Sequence, residues 1–342
     1  MSVVEVFLDV MPGETRGVVA RDGRWDTLLI HRDDDRATHR LGARSTGRVT
    51  RVDTALRGSF INLGDGEPGF LPSRKGDRLN VGDKLEVAVS AEPREAKGPT
   101  LTLIGPATGE AALIQPGQTV AETLAVLAPG VEPRTGIEAI RAGMDAEEEA
   151  TSAGGRHLTL LANLSVERTR ALVAVDVDHV AGAGRDATRE KTRANREALF
   201  EAARLIRLKS WGGLVAIDLI GVGQDTAVVL EAARAAFGMD PRIAYGPVNR
   251  FGVLMLSLPW TRMPLEERLN AGTGRLTTET RALAAVRQLR LALATNTAAP
   301  WLTLRCPPRE AALAAPWAEA LGPRARVRAD STAAGATIKE EG

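Results

Sequence analysis

A chain of 342 residues, 44% hydrophobic and 25% charged, has globular composition, which excludes wholesale disorder and collagen-like repeats and suits two or three domains. Its 44 basic and 43 acidic residues nearly cancel to +1, so net charge names no partner. One cysteine, Cys306, excludes an internal disulfide and a multi-cysteine zinc site, and no run approaches the ~18 apolar residues of a membrane span. Glu5 and Asp9 interrupt the opening apolar run, against a signal peptide, so a cytoplasmic protein is expected. Of the basic residues 38 are arginine, whose planar fork suits phosphate, although a GC-rich genome gives the same excess.

In chain order, Val3–Val10, Thr15–Arg21 and Thr27–Ile30 read as strands, turned at Pro12-Gly13 and Asp22-Gly23. The polar run 32–40 marks a boundary. Five short strands follow at 47–53, 57–63, 67–71, 84–91 and 99–104, a pattern that fits a small Greek-key barrel of OB type. Amphipathic helices are expected near Thr119–Leu127 and Ile137–Ala150. Ala171–Val177 is a β-branched strand and 188–209 a helix with Leu199, Ala202, Ala203 and Ile206 on one side. Leu214–Ile220 is the next strand, completing a βαβ unit with parallel strands. A helix at 225–237, strands near 242–248 and 251–258, and a polar link at 261–275 come next. Helix 277–294, strand 301–305, helix 309–321, strand 325–329 and a disordered tail from Ala333 close the chain.

The carboxylates Asp176, Asp178 and Asp218 each end an apolar strand, in ALVAVDVD and GLVAIDLI. A period of two puts Asp176 and Asp178 on one face, and the crossover sets Asp218 alongside at the same end. Carboxylates gathered there repel one another, and a cation with oxygen ligands, Mg2+ or Mn2+, is the usual remedy. Such a metal polarises a phosphodiester and activates water. The plainer alternative is that these aspartates cap helices or begin loops. His179 points to the other face, and His31, His39 and His157 show no partner spacing.

Three stretches resemble the catalytic region of the RNase E/G family of bacterial endoribonucleases: RALVAVDVD (170–178), NREALFEAARLIRLKSWGGLVAID (195–218) and NRFGVLMLS (249–257). Asn195, Glu197, Arg204, Arg207, Gly212, Gly213 and Asp218 stand at that family's spacing. GRVTRV (47–52), SFINLG (59–64), GFLP (69–72) and KGPTLT (97–102) are similar to its S1 domain, an OB-fold RNA binder. The resemblance implies that Asp176 and Asp218 hold the catalytic magnesium, with Asp178 where the family has asparagine and Gly221 where it often has an acid. It implies that Phe60 and Phe70 hold a base beside the scissile phosphate and that Lys97 lies on the RNA face. Independently, a phenylalanine at the end of such a strand is a stacking platform worth ~1–3 kcal/mol per base, or else a core residue. The arginines at 36, 40, 44, 48, 51 and 57 face only Asp53 in their stretch, so Arg48 and Arg51 belong to a basic edge for phosphates or to a solvated rim. By family position Arg250 lies near the metal, and Lys191, Arg193 and Arg196 are candidates for flanking phosphates.

The expected fold is an α/β (α+β) multi-domain chain. The first strands of an RNase H-like portion fill 1–38, an S1/OB-fold barrel is inserted at 39–104, and the rest of that portion fills 105–155. A βαβ catalytic domain occupies 156–262 and a small α/β domain with its tail 263–342. The expected function is a Mg-dependent endoribonuclease that cleaves single-stranded RNA and leaves 5′-phosphate ends. The rivals are a non-catalytic binder of ribosomal or AU-rich RNA and a scaffold in an RNA-processing complex. The roughly 60 residues between Ile104 and Leu164 are too few for the family's 5′-end sensor plus the rest of the RNase H-like fold, although Arg134-Thr135 echoes its arginine-threonine pair. Cys306-Pro307-Pro308 does not complete the family's zinc link, so no zinc is expected, no membrane is a partner, and a homodimer stays open.

Overall fold

The alternation that opens the chain makes an antiparallel meander of β1 (Val4–Met11), β2 (Glu14–Arg21) and β3 (Arg24–Arg32). The next strands are β4 (Arg44–Asp53), β5 (Gly58–Asn62), β6 (Gly69–Pro72), β7 (Lys84–Ala91) and β8 (Thr100–Pro106). They pair in the order β5-β6-β8-β7-β4, and β4 also pairs with β5, so the five strands close into a ring. Val49, Ile61, Leu71, Val87 and Leu101 fill it. β9 (Ala112–Gln115), absent from the expected strands, adds to β4. Helix α1 (Val120–Leu127), opened by a capping box of Thr119 and Glu122, packs Val120 and Leu124 on Val6, Val19 and Leu29 of the meander. Arg134 then bonds to the β1 backbone at Val6 and Leu8, its guanidinium paired with Glu5 and Glu138, and α2 (Ile137–Thr151) follows.

The computed structural model describes residues 3–341 except 75, 77, 153–156, 159–161, 180–186, 222–224 and 271–273. The chain divides into two units, Met1–Glu147 with Met263–Gly342, and Glu148–Arg262. The second unit is built on a six-stranded sheet of β10 (His157–Leu158), β11 (Ala162–Arg168), β12 (Val173–His179), β13 (Gly213–Asp218), β14 (Ala244–Val248) and β15 (Val253–Leu258). Its order is β10-β11-β12-β13-β15-β14. As expected, β12 and β13 are parallel and joined by a helix, α3 (Ala187–Leu208), while α4 (Thr226–Phe237) follows β13. Both helices lie on one face, where Val175, Val177, Val215, Ile217 and Leu254 meet Ala198, Leu199, Ala202, Ile206 and Val229. β10 and β11 are additions to the expected strands. The side chains of His157 and His179 lie outside the described residues.

A short helix, α5 (Leu265–Leu269), stands in the expected polar link. After it come α6 (Thr278–Thr295), β16 (Trp301–Cys306), α7 (Pro308–Glu319), β17 (Ala325–Ala329) and β18 (Thr337–Glu341). The sheet order is β17-β16-β18, with α6 and α7 covering the face of Leu302, Leu304 and Cys306. β18 corrects the expected disordered tail. Its one apolar residue, Ile338, joins the helix-covered core, and Glu341 accepts hydrogen bonds from Thr303 and Arg305 of β16. The result is a mixed α/β chain with several sheets and seven α-helices among the described residues. None of those helices is long and apolar enough to cross a membrane.

The first unit also buries a set of charges. Glu14 pairs with Arg16, Arg32 and Arg287, and Asp9 with Arg287 and Arg290, while Arg16 reaches Glu147 and Arg32 reaches Glu279. These contacts tie β1–β3 to α2 and α6.

Candidate functional site

Because β12 and β13 run parallel, their side chains match in level as well as in face, and Asp176 is the direct partner of Asp218. The odd-numbered valines and Ile217 point into the helix-covered core, so Asp176, Asp178 and Asp218 share the opposite, solvent-facing side. Adjacent strands lie ~4.8 Å apart, which keeps the carboxylates in mutual range. Their repulsion is visible in the Asp176 carboxyl. Partial loss of hydration pushes it above the ordinary aspartate range, then the charges of Asp178 and Asp218 push it further, against a hydrogen bond from the Val177 N–H. Across β11, Ser165 faces Asp176 and Asn163 faces Asp178.

A hard divalent cation fits this donor set, since clustered carboxylate oxygens open to water are what such ions bind. Among the described residues no three His, Cys, Asp or Glu side chains converge into a ready-made ligand shell. Two carboxylates alone suit magnesium, which keeps several waters, better than calcium, which takes six to eight oxygens. Cys306, by contrast, is buried in the core under α6 and α7.

Two devices fix the segment that leaves Asp218. Asn195 of α3, 2% exposed, donates from Nδ2 to the Ile220 carbonyl at 3.3 Å and accepts at Oδ1 from the Ile220 N–H at 2.8 Å. The turn 249–252 is closed by Asn249, whose Oδ1 accepts from the Phe251 and Val253 amides, and the Gly252 carbonyl accepts from the Leu219 N–H. Gly252 has φ +89°, and a Cβ there would sit 3.1 Å from the Gly221 carbonyl oxygen, so only glycine fits. The turn presents Arg250 and Phe251 beside the carboxylate edge. Phe251 is 65% exposed, and the Arg250 guanidinium lies 4.7 Å from its ring centre. Sequence alone assigns no role to Asn195 or to Phe251. The Asn-x-x-Gly turn signature was the available signal for the second, whereas nothing in sequence shows that Phe251 stays uncovered.

The other expected residues fall as follows. Lys191 and Arg193 are exposed on α3, and Arg193 pairs with Glu197. Arg204 is buried with Glu201 and Glu149, and Arg207 donates to the Ala236 carbonyl, so both hold α3 in place. On the ring, Phe60 and Phe70 are direct cross-strand partners, half-buried and outside the core, with ring centres 5.4 Å apart edge to face. The Arg51 guanidinium covers Phe60 at 4.0 Å, Arg48 is exposed, and Lys97 lies exposed near the start of β8, where Thr100 pairs with Phe70. Ile61 and Leu71, one residue on, take the core positions, which puts the two aromatic rings on the outside.

Residues 117–258 match the Ribonuclease E/G family. A ribonuclease E of Buchnera aphidicola subsp. Acyrthosiphon pisum (strain APS) is 31% identical over 99 residues, 28% of this chain and 11% of that protein. The chain therefore spans about a tenth of the curated relative it matches.

Proposed function

We propose, from the premise that the chain belongs to the ribonuclease E/G family through residues 117–258, that it is an endoribonuclease acting on single-stranded RNA. The observation that carries this reading is the in-register pair Asp176 and Asp218 on an open sheet face, with Asp176 already repelled by its neighbours. Asp176 and Asp218, with Asp178 beside them, would hold magnesium or manganese. When bound, such an ion neutralises phosphate charge and lowers the pKa of a coordinated water for attack on phosphorus. Arg250 neutralises a phosphate at the same edge, and Phe251 offers a stacking surface to the base next to it. Lys191 and Arg193 take flanking phosphates, and Asn195 keeps the Asp218 edge in one conformation. The closed ring, taken as an S1/OB barrel at 39–104, binds bases on Phe60 and Phe70 and phosphates on Lys97, Arg48 and Arg51. Residues 1–38 and 105–155 form the RNase H-like portion, 156–262 the catalytic domain and 263–342 the small last domain. The products carry 5′-phosphates, the setting is cytoplasmic, no zinc takes part, and a homodimer is compatible with the reading.

The test is cleavage of a short fluorescent single-stranded RNA with Mg2+ and with chelator. Asp176→Asn and Asp218→Asn should each abolish cutting and leave RNA affinity intact, and full activity in both variants would refute the reading. A non-catalytic RNA binder is favoured by Asp178 in place of the family's asparagine and by Gly221 in place of its frequent acid. Tight RNA binding by the unaltered protein, without cleavage at any divalent ion concentration, would establish that reading instead.

A further inference from the structure

The three-stranded sheet of β16, β17 and β18 is covered by helices on one face alone, and its other face carries a pattern unlike an ordinary solvated surface. Parallel pairing sets Thr303 beside Arg326 and Arg305 beside Arg328, and antiparallel pairing sets Lys339 on the other side of Thr303. Trp301, Arg305, Arg326, Arg328 and Lys339 therefore share this open face, as Leu302, Leu304 and Cys306 share the covered one. Arg326, Arg328 and Lys339 are exposed, while Arg305 is balanced by Glu341 at 2.8 Å. Asp330, at the margin, is engaged by Thr332. The Arg326 guanidinium carbon lies over the Trp301 ring, 3.9 Å from its centre. Two donors on this face, Nε1 of Trp301 and Nε of Arg305, are shut from solvent with no acceptor.

We infer that this sheet face is a second binding surface for single-stranded RNA, separate from the carboxylates and from the ring. A guanidinium stacked on an indole presents a flat cationic plane on which a base stacks, and base–aromatic–arginine layers are how open sheets hold unpaired nucleotides. Arg326 and Arg328 are two residues apart on one strand, ~6.6 Å, close to the spacing of successive phosphates in an extended strand. An acidic peptide would satisfy the charge but would leave the stacked plane without a use. The inference goes beyond the nuclease reading and stands if that reading fails.

The test uses the intact protein and an oligoadenylate twelve nucleotides long, with chelator present so that no metal-dependent cleavage occurs, in the Phe60→Ala/Phe70→Ala background to silence the ring. Adding Arg326→Glu, Arg328→Glu and Lys339→Glu, all exposed, should weaken binding at least tenfold. It should also lower the slope of log affinity against log salt by about two, at ~0.7 per single-strand phosphate. Separately, Trp301→Phe should remove the RNA-induced quenching of tryptophan fluorescence with an unchanged circular dichroism spectrum. Unaltered affinity, slope and quenching would overturn the inference, as would equal competition by a polyglutamate peptide of matched charge.

Discussion

Asp178 stands where the ribonuclease E/G family that residues 117–258 match has asparagine, and its effect is calculable in sign. A second carboxylate two residues from Asp176 raises the Asp176 pKa, so at a given pH less of that group is in the ionised form that binds a cation. Activity should therefore rise as pH passes above the usual aspartate range, and Asp178→Asn should move that acid limb to lower pH. A pH–rate profile that is the same in both proteins would contradict this. The same substitution should leave Tm unchanged or slightly raised, since it relieves repulsion instead of breaking a contact. The exposed Phe251 makes the complementary case: Phe251→Ala should raise KM about tenfold and spare kcat, within the ~1–3 kcal/mol of one stacked base. At this scale the aspartates were legible because a period of two and one crossover suffice to place them together. Phe60 and Phe70 were ambiguous, as each is one residue from a core position, and only the observed facing of Ile61 and Leu71 decides which way the rings point.

Whole elements were legible where periodicity was long. α3 shows it best: within its 22 residues Leu199, Ala202, Ala203 and Ile206 stand at helical spacing, and all four are in the core. What sequence did not reveal is that the same helix also carries the clamp on the Asp218 edge, because Asn195 is polar and sits among exposed charges in the linear pattern. Asn195→Ala removes a reciprocal pair of hydrogen bonds and strands the Ile220 backbone, a loss of ~1–3 kcal/mol. Unfolding in urea should report that loss, together with a drop in kcat at undiminished RNA affinity. Asn195→Asp, which keeps the acceptor but not the donor, should fall between. β10, β11 and β18 went unseen for a different reason. β10 has only two residues and pairs with β11, and β11 alternates Asn163, Ser165 and Glu167 with its apolar residues and pairs with its neighbour β12, whereas β18 is strongly polar and owes its strand character to β16, far away in sequence.

The charge cluster of the first unit joins distant parts of the chain: buried Asp9, Glu14, Arg16, Arg32 and Arg287 pair with one another and with half-buried Glu147, Glu279 and Arg290, and the contacts of Asp9, Glu14 and Arg32 with α6 form only when that helix packs on the opening strands. In sequence nothing pairs them: Asp9 only interrupts an apolar run, and Arg32 opens the polar run 32–40. Burial alone would raise the Glu14 carboxyl, but Arg16, Arg287 and Arg32 outweigh it and hold the group down to about 2, from an ordinary 4.5. A carboxylate whose pKa is lower folded than unfolded stabilises the fold fully above the unfolded value. That contribution is lost as pH falls through the folded one. The first unit should therefore lose stability between about pH 4.5 and pH 2, and thermal unfolding followed at stepped pH should show Tm falling steeply across that interval. Glu14→Gln should flatten this dependence. At neutral pH it should cost ~3–5 kcal/mol, because three buried guanidinium groups lose their shared counter-charge. An unchanged acid limb in Glu14→Gln would place the acid sensitivity elsewhere, and replacing Glu14, Arg16 and Arg287 together by apolar residues should cost less than Glu14→Gln alone.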